Sequence, residues 1–149
     1  MRDYSEVSEQ IEAVLDGEPN RTARLATIVC VLHNAFEDYF WTGFYTVDPT
    51  KRRELVIGPY QGTLGCLRIP FGKGVCGTAA AEGVTQVVED VHAFPGHIAC
   101  DARSESEIVV PVWNGDRLIG VLDVDSTRPG AFSDHDARAL ERIVAMVAP

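Results

Sequence analysis

Cysteine, histidine and carboxylate side chains crowd into one stretch, VEDVHAFPGHIACDARSESEIVVP, which ends at Pro111. Within it Cys100 stands among Asp90, His92, His97, Asp101 and Glu107. The pair Pro95-Gly96 breaks any regular element before His97, and the β-branched run from Ile108 to Val110 restarts one, so Cys100 is expected on a loop leading into a strand. Loops delivered by rigid strands often carry chemistry. A cysteine taken alone is as readily a small buried hydrophobe, so its company has to decide.

Two further thiols, Cys66 and Cys76, precede it, and two chemistries compete for the three. Metal binding would use Cys66, Cys76 and the pair His97-x-x-Cys100, but the paired CxxC spacing of closed zinc sites is absent. Thiol redox chemistry needs one thiolate that attacks, becomes a sulfenic acid and is captured by a second thiol. Several cysteines without CxxC fit that better. Cys76 falls near the start of a short helix, VCGTAAAE, where backbone dipoles favour a thiolate, although a packed small residue there is the plainer reading. The neighbouring FGKG lacks the GKS or GKT ending of a phosphate loop.

Proton chemistry points further along the chain. In RLIGVLDVDS, alternation puts Ile119, Val121, Asp123 and Asp125 on one strand face and Leu118, Gly120, Leu122 and Val124 on the other. Glu107 begins the partner strand across a hairpin signalled by Asn114-Gly115, so all three carboxylates can meet at one end of a sheet. Crowded carboxylates in a partly apolar pocket push one of their number toward the neutral acid, which can then donate a proton. The plainer alternative is a strand that frays near Leu122, with both aspartates as solvated turn formers. Upstream, WTGFYTVD puts Trp41, Gly43, Tyr45 and Val47 on one face. Two rings about 13 Å apart with a glycine between them could wall a small cavity, or simply pack.

The elements that must position these groups follow from period and punctuation. Val7, Ile11, Val14 and Leu15 have helical spacing, ending near Gly17. After Pro19-Asn20 a second helix carries Leu25, Ile28, Val29, Leu32 and Phe36 on one side, with Cys30 roughly opposite as a spare thiol. Strands follow at Trp41, at Glu54 to Gly58 with an exit at Pro59 to Gly62, at Thr85 to Val88, and at the two arms of the hairpin. Ser133 caps a closing helix with Ala137, Leu140, Ile143, Val144 and Val147 at its apolar positions. The expectation is an α+β domain over residues 1–149 with helices packed on a central antiparallel sheet.

Composition narrows the partners. A formal charge of −9 argues against nucleic acid and anionic membrane surfaces, and no run approaches the ~18 apolar residues of a membrane span. No leader pattern is visible, so a cytoplasmic protein is expected, in which four cysteines are reduced thiols, redox centres or metal ligands rather than a permanent framework.

In this order WTGFY, LVIGPYQG, CLRIPFGKGVCGTAA, VEDVHAFPGHIACD, SEIVVPV and GVLDVDS resemble the free methionine-(R)-sulfoxide reductases, a catalytic branch of the GAF-domain superfamily. The likeness is dense from Trp41 to Ser126, and the flanking helices agree in kind. GVLDVDS alone is common to sensory GAF domains, whereas HIACD with CLRIP and GVCG at these separations is specific. Departures are mild: Leu67 stands where many relatives carry valine, and Cys30 matches none of the family's redox cysteines.

The resemblance implies a GAF-like domain with six antiparallel strands flanked by helices. It implies reduction of free L-methionine (R)-sulfoxide, no bound cofactor, and electrons from thioredoxin. Cys100 would attack the sulfoxide sulfur, with His97 at most a modulator, and Cys66 would be the first candidate to capture the sulfenic acid. Cys76 would be an alternative or a second relay. Trp41 and Tyr45 would hold the substrate's methyl group, and Glu107, Asp123 and Asp125 would bind its polar groups and protonate the leaving oxygen. A homodimer stays open. The competing class is a non-catalytic GAF sensor that binds a small ligand, against which stands the absence of an output domain or long coiled-coil linker in this sequence.

Overall fold

The computed structural model describes residues 1–149. Helices α1 (Ser5–Leu15) and α2 (Arg21–Ala35) lead into strands β1 (Trp41–Val47), β2 (Glu54–Gln61) and β3 (Arg68–Pro70). Helix α3 (Gly74–Glu82), strand β4 (Gln86–Val88) and a 3-10 turn at Val91–Ala93 follow, then β5 (Ser106–Asn114), β6 (Arg117–Ser126) and α4 (Asp134–Val144). The six strands form one antiparallel sheet in the order β3-β2-β1-β6-β5-β4. Both edges are three-residue strands, too short to invite pairing with another chain.

Period two along the strands divides the core between the two sheet faces. Phe44, Ile108, Val110, Val112, Leu122 and Val124 pack with apolar residues of α1, α2 and α4. Trp41, Tyr45, Val109 and Val121 turn the other way, toward Val75, Cys76, Ala79 and Ala80 of α3. Helix α3 comes close because it is built of small residues: a Cβ at Gly77 would sit 2.4 Å from the Pro70 carbonyl oxygen. The helix ends are set as the sequence indicates, with Asn20 accepting from the Ala23 N–H and a reciprocal capping box between Ser133 and Asp136. Val14, expected inside, is 57% exposed, because one turn of α1 between Ile11 and Leu15 already fills its stripe.

Two strands depart from simple alternation. Strand β2 does not exit at Pro59 but runs on to Gln61, since Gly43 pairs with Tyr60 and Tyr45 with Ile57, two steps on β1 against three on β2. That bulge is where a proline fits in a ladder. In the hairpin, Asn114 pairs with Arg117, so the loop proper is Gly115-Asp116, with Gly115 at φ 65°. Trp113 pairs with Leu118 but Val112 with Gly120, leaving Ile119 as an extra residue. Ile119 therefore packs toward the helical core and Leu118 toward the α3 side, the reverse of strict alternation. From Gly120 onward the expected phase holds.

Candidate active site

Beyond that bulge β6 brings Asp123 and Asp125 to the α3 face, and β5 supplies Glu107 directly opposite Asp125. Strand β1 lies on the other side of β6, with Trp41 opposite Asp125 and Gly43 opposite Asp123. The three carboxylates and the two rings thus share one end of the sheet. They line a pocket of about 530 Å³ including its open mouth, completed by the start of α3 and by the loops carrying Leu64, His97 and Cys100.

The aromatic wall differs in detail from expectation. Trp41 and Tyr45 stack with centroids 5.9 Å apart, and Tyr60 covers the other side of the indole at 5.2 Å. The indole leans over Gly43, where a Cβ would meet it at 2.6 Å. The rings form one continuous wall rather than two separated ones, and Gly43 makes room for the stack. The Trp41 Nε1–H donates to the Thr63 carbonyl at 2.7 Å, tying the wall to the loop before Cys66.

At the pocket floor Cys76 Sγ and carboxylate oxygens of Glu107 and Asp123 lie within 4.8 Å of one another. Asp123 is 5% exposed and its Oδ1 has no hydrogen-bond partner, so a buried acceptor faces the cavity unsatisfied. Burial, then the nearby charges of Asp125 and Glu107, push the Asp123 carboxyl well above the usual carboxylate range. Asp125 is raised by burial and by Glu107. Burial and the charge of Asp123 raise the Tyr45 phenol too. His97 Nε2 stands 3.7 Å from Glu107 Oε1.

Cys76 corrects the helix-start expectation. It is the third residue of α3, yet burial first, and then Asp123, Glu107 and Asp125, raise its thiol well above the ordinary value. A half-charge at a helix end cannot offset burial together with three nearby carboxylates, so the protonated thiol is the favoured form of Cys76 in this arrangement. The backbone N–H groups of Gly74, Val75 and Cys76 have no acceptor in the chain and no side-chain cap. All three residues line the same pocket, and sequence reading did not single them out. The missing side-chain cap at Lys73 is the signal that could have shown them.

At the mouth a disulfide joins Cys66 to Cys100, with Cα atoms 5.6 Å apart. Those two sulfurs are therefore unavailable as metal ligands in this state, while Cys30 is free and exposed. A second link joins the same two loops: Thr63 Oγ1–H donates to Asp101 Oδ2 at 2.7 Å. The Arg103 guanidinium and backbone N–H also donate to Asp101, and with Thr63 they hold its carboxyl well below the usual range. Arg103 lies 5.0 Å over the Phe40 ring. Asp101 is thus a fixed anion beside Cys100, unlike the raised acids on the floor. No helix is long and apolar enough to cross a membrane.

Comparison with known proteins bears on this geometry. Residues 20–148 match the GAF domain family. The chain is 45% identical over 144 residues to the free methionine-R-sulfoxide reductase of Escherichia coli, covering 97% of this chain and 86% of that protein. It is 38% identical over 151 residues to the free methionine-R-sulfoxide reductase of Saccharomyces cerevisiae, covering 95% and 84%. A solved structure of the Neisseria meningitidis free methionine-R-sulfoxide reductase in complex with its substrate is 49% identical, superposes with a TM-score of 0.93, and is matched over 99% of this chain and 89% of that one.

Proposed function

Because the chain belongs to the GAF domain family and, within it, to the free methionine-R-sulfoxide reductases, we propose that it reduces free L-methionine (R)-sulfoxide to L-methionine. The observation that carries this reading is the Cys66–Cys100 disulfide at the mouth of a pocket walled by Trp41 and Tyr45 and floored by Glu107, Asp123 and Asp125. A thiol pair, an aromatic wall and carboxyl groups, of which Asp123 and Asp125 have raised affinity for protons, are the parts that sulfoxide reduction needs.

The substrate's methyl group rests against the Trp41–Tyr45 stack. Its ammonium meets the unsatisfied Asp123 oxygen, and its carboxylate meets the free N–H groups at the start of α3, where the helix dipole favours an anion. A peptide-bound sulfoxide lacks at least one of those charged ends. The Cys100 thiolate attacks the sulfoxide sulfur while Asp125, assisted by Glu107, gives the oxygen a proton. A Cys100–substrate S–S bond forms as the protonated oxygen leaves as water; water then attacks Cys100 Sγ, the S–S bond breaks with its electron pair going to the substrate sulfur, and methionine leaves while Cys100 becomes a sulfenic acid. The Cys66 thiol then attacks that sulfur, water departs, and the disulfide forms. Cys76, buried and protonated, is a poorer nucleophile than Cys66 and serves as an alternative or later relay.

A thioredoxin-type dithiol supplies two electrons to reopen the bond, so the side chains carry the cycle with no bound cofactor. A transient disulfide of this kind suits the reducing cytoplasm. Incubating the protein with free methionine sulfoxide and a dithiol reductant, and measuring methionine, tests the proposal. No methionine from either sulfoxide epimer would refute it and favour ligand sensing.

A further inference from the structure

The disulfide lies within an apolar collar. Seven large apolar side chains of the chain are exposed, and three of them, Leu64, Leu67 and Ile98, lie within two residues of Cys66 or Cys100. Leu64 is 79% exposed, Leu67 69% and Ile98 38%. Such clustering on a polar surface marks an interaction site rather than the scattered apolar residues any protein shows. Leu64 and Ile98 edge the pocket, whereas Leu67 stands outside its lining, so a substrate in the pocket leaves Leu67 uncovered. Cys100 itself is exposed and Cys66 half-buried.

We propose that this collar is the docking surface for a protein dithiol donor, which seats an apolar rim on Leu64, Leu67 and Ile98 and presents its thiolate to Cys100. The proposal rests on reading the disulfide as a catalytic intermediate. What identifies the occupant is the bond at the collar's centre, which can be opened only by two electrons from outside. The donor thiolate attacks Cys100 Sγ, the S–S bond breaks, and Cys66 leaves as a thiolate that takes a proton. The donor's second thiol then displaces Cys100 from the mixed disulfide, leaving the donor oxidised and both cysteines reduced. A second copy of this chain suits the surface poorly, because two collars face to face would close both pocket mouths.

The test starts from the disulfide form and contains no sulfoxide, so it reads docking whether or not methionine sulfoxide is the substrate. Thioredoxin, kept reduced by NADPH and its reductase, and dithiothreitol are compared as donors to the parent protein, Leu67→Ser and Leu67→Met. The expected result is a fall of about five-fold or more in the second-order rate with thioredoxin for Leu67→Ser, near-parent behaviour for Leu67→Met, and an unchanged dithiothreitol rate for both. Equal rates with both donors, or equal losses with both, would overturn the proposal. So would a dimer in sedimentation that Leu67→Ser converts to monomer.

Discussion

Glu107 faces Asp125 directly across the β5–β6 ladder, two rungs from the pair Val109 and Asp123. Side chains opposite one another on one face stand about 5 Å apart at Cβ, so these acids meet at a pocket whose burial already disfavours charge. The Asp125 carboxyl keeps its proton to higher pH than an isolated one would. Changing Glu107→Gln or Asp125→Asn keeps the shape and removes the acid. The methionine-forming step is expected to fall about 10²-fold or more in a single turnover while Cys100 stays alkylatable. Near-parent rates in both variants would dismiss the carboxylates as proton donors.

The same raised affinities fix a pH dependence. The protonated acid is the working form, so the parent's methionine-forming rate is expected to decline as pH rises through the elevated titration of the Asp123–Asp125 pair. The two titrate together, and the observed midpoint belongs to the pair. A rate flat from pH 5 to 9, at a constant Cys100 thiolate fraction, would contradict this.

Stability should move in the same sense as activity. A carboxyl whose folded affinity for protons exceeds its unfolded one binds more protons in the folded state, so folding loses stability as pH rises from the ordinary carboxylate value through the elevated one. Asp123→Asn removes the Asp123 share of that loss, leaving that of Asp125. Its melting temperature is expected to exceed the parent's at pH 8 by a few degrees, on the order of 1 kcal/mol, with the gain vanishing near pH 4. An unchanged difference across that range would show that the pair does not titrate in this way.

The two cysteines separate by timing. Cys100→Ser is expected to release no methionine, whereas Cys66→Ser should release one equivalent and then stall with thioredoxin as donor. Quantifying methionine against enzyme distinguishes them, and unimpaired steady-state turnover in Cys66→Ser would remove that residue from the cycle.

The Thr63–Asp101 hydrogen bond joins the loops of Cys66 and Cys100 without depending on the disulfide. Thr63→Val removes the donor and frees the loops to separate once the bond is reduced. Disulfide closure should slow several-fold, read as greater trapping of the sulfenic acid by a dione probe, with methionine release unchanged and Thr63→Ser behaving as the parent. Equal trapping in Thr63→Val and parent would assign the bond no role in closure.

Most of the frame could be read from residue types. Helical spacing placed α1, α2 and α4, the Gly-containing turn placed the hairpin, and alternation from Gly120 onward placed both aspartates on the α3 face. What escaped depended on contacts between distant segments. The bulges at Gly58-Pro59 and Ile119 arise from pairing with β1 and β5, and a single strand's own pattern cannot show them. The indole lying over Gly43 depends on Tyr60 from β2. Cys76 was misjudged because its helix position was visible and the three carboxylates around it, contributed by β5 and β6, were not. The free N–H groups of α3 became meaningful only once the pocket lay in front of them.

The extra residue at Ile119 acts as a phase break in β6, between an exposed tip at Asn114 to Arg117 and the buried half that carries the acids. Side chains on the tip side keep their own in-and-out order, and those from Gly120 onward are held by β1 as well as β5. An affinity tag, a fluorophore or new chain ends can therefore be engineered at Gly115-Asp116 without rotating Asp123 and Asp125 out of the cavity, which makes the hairpin tip the natural handle for immobilising or labelling this protein.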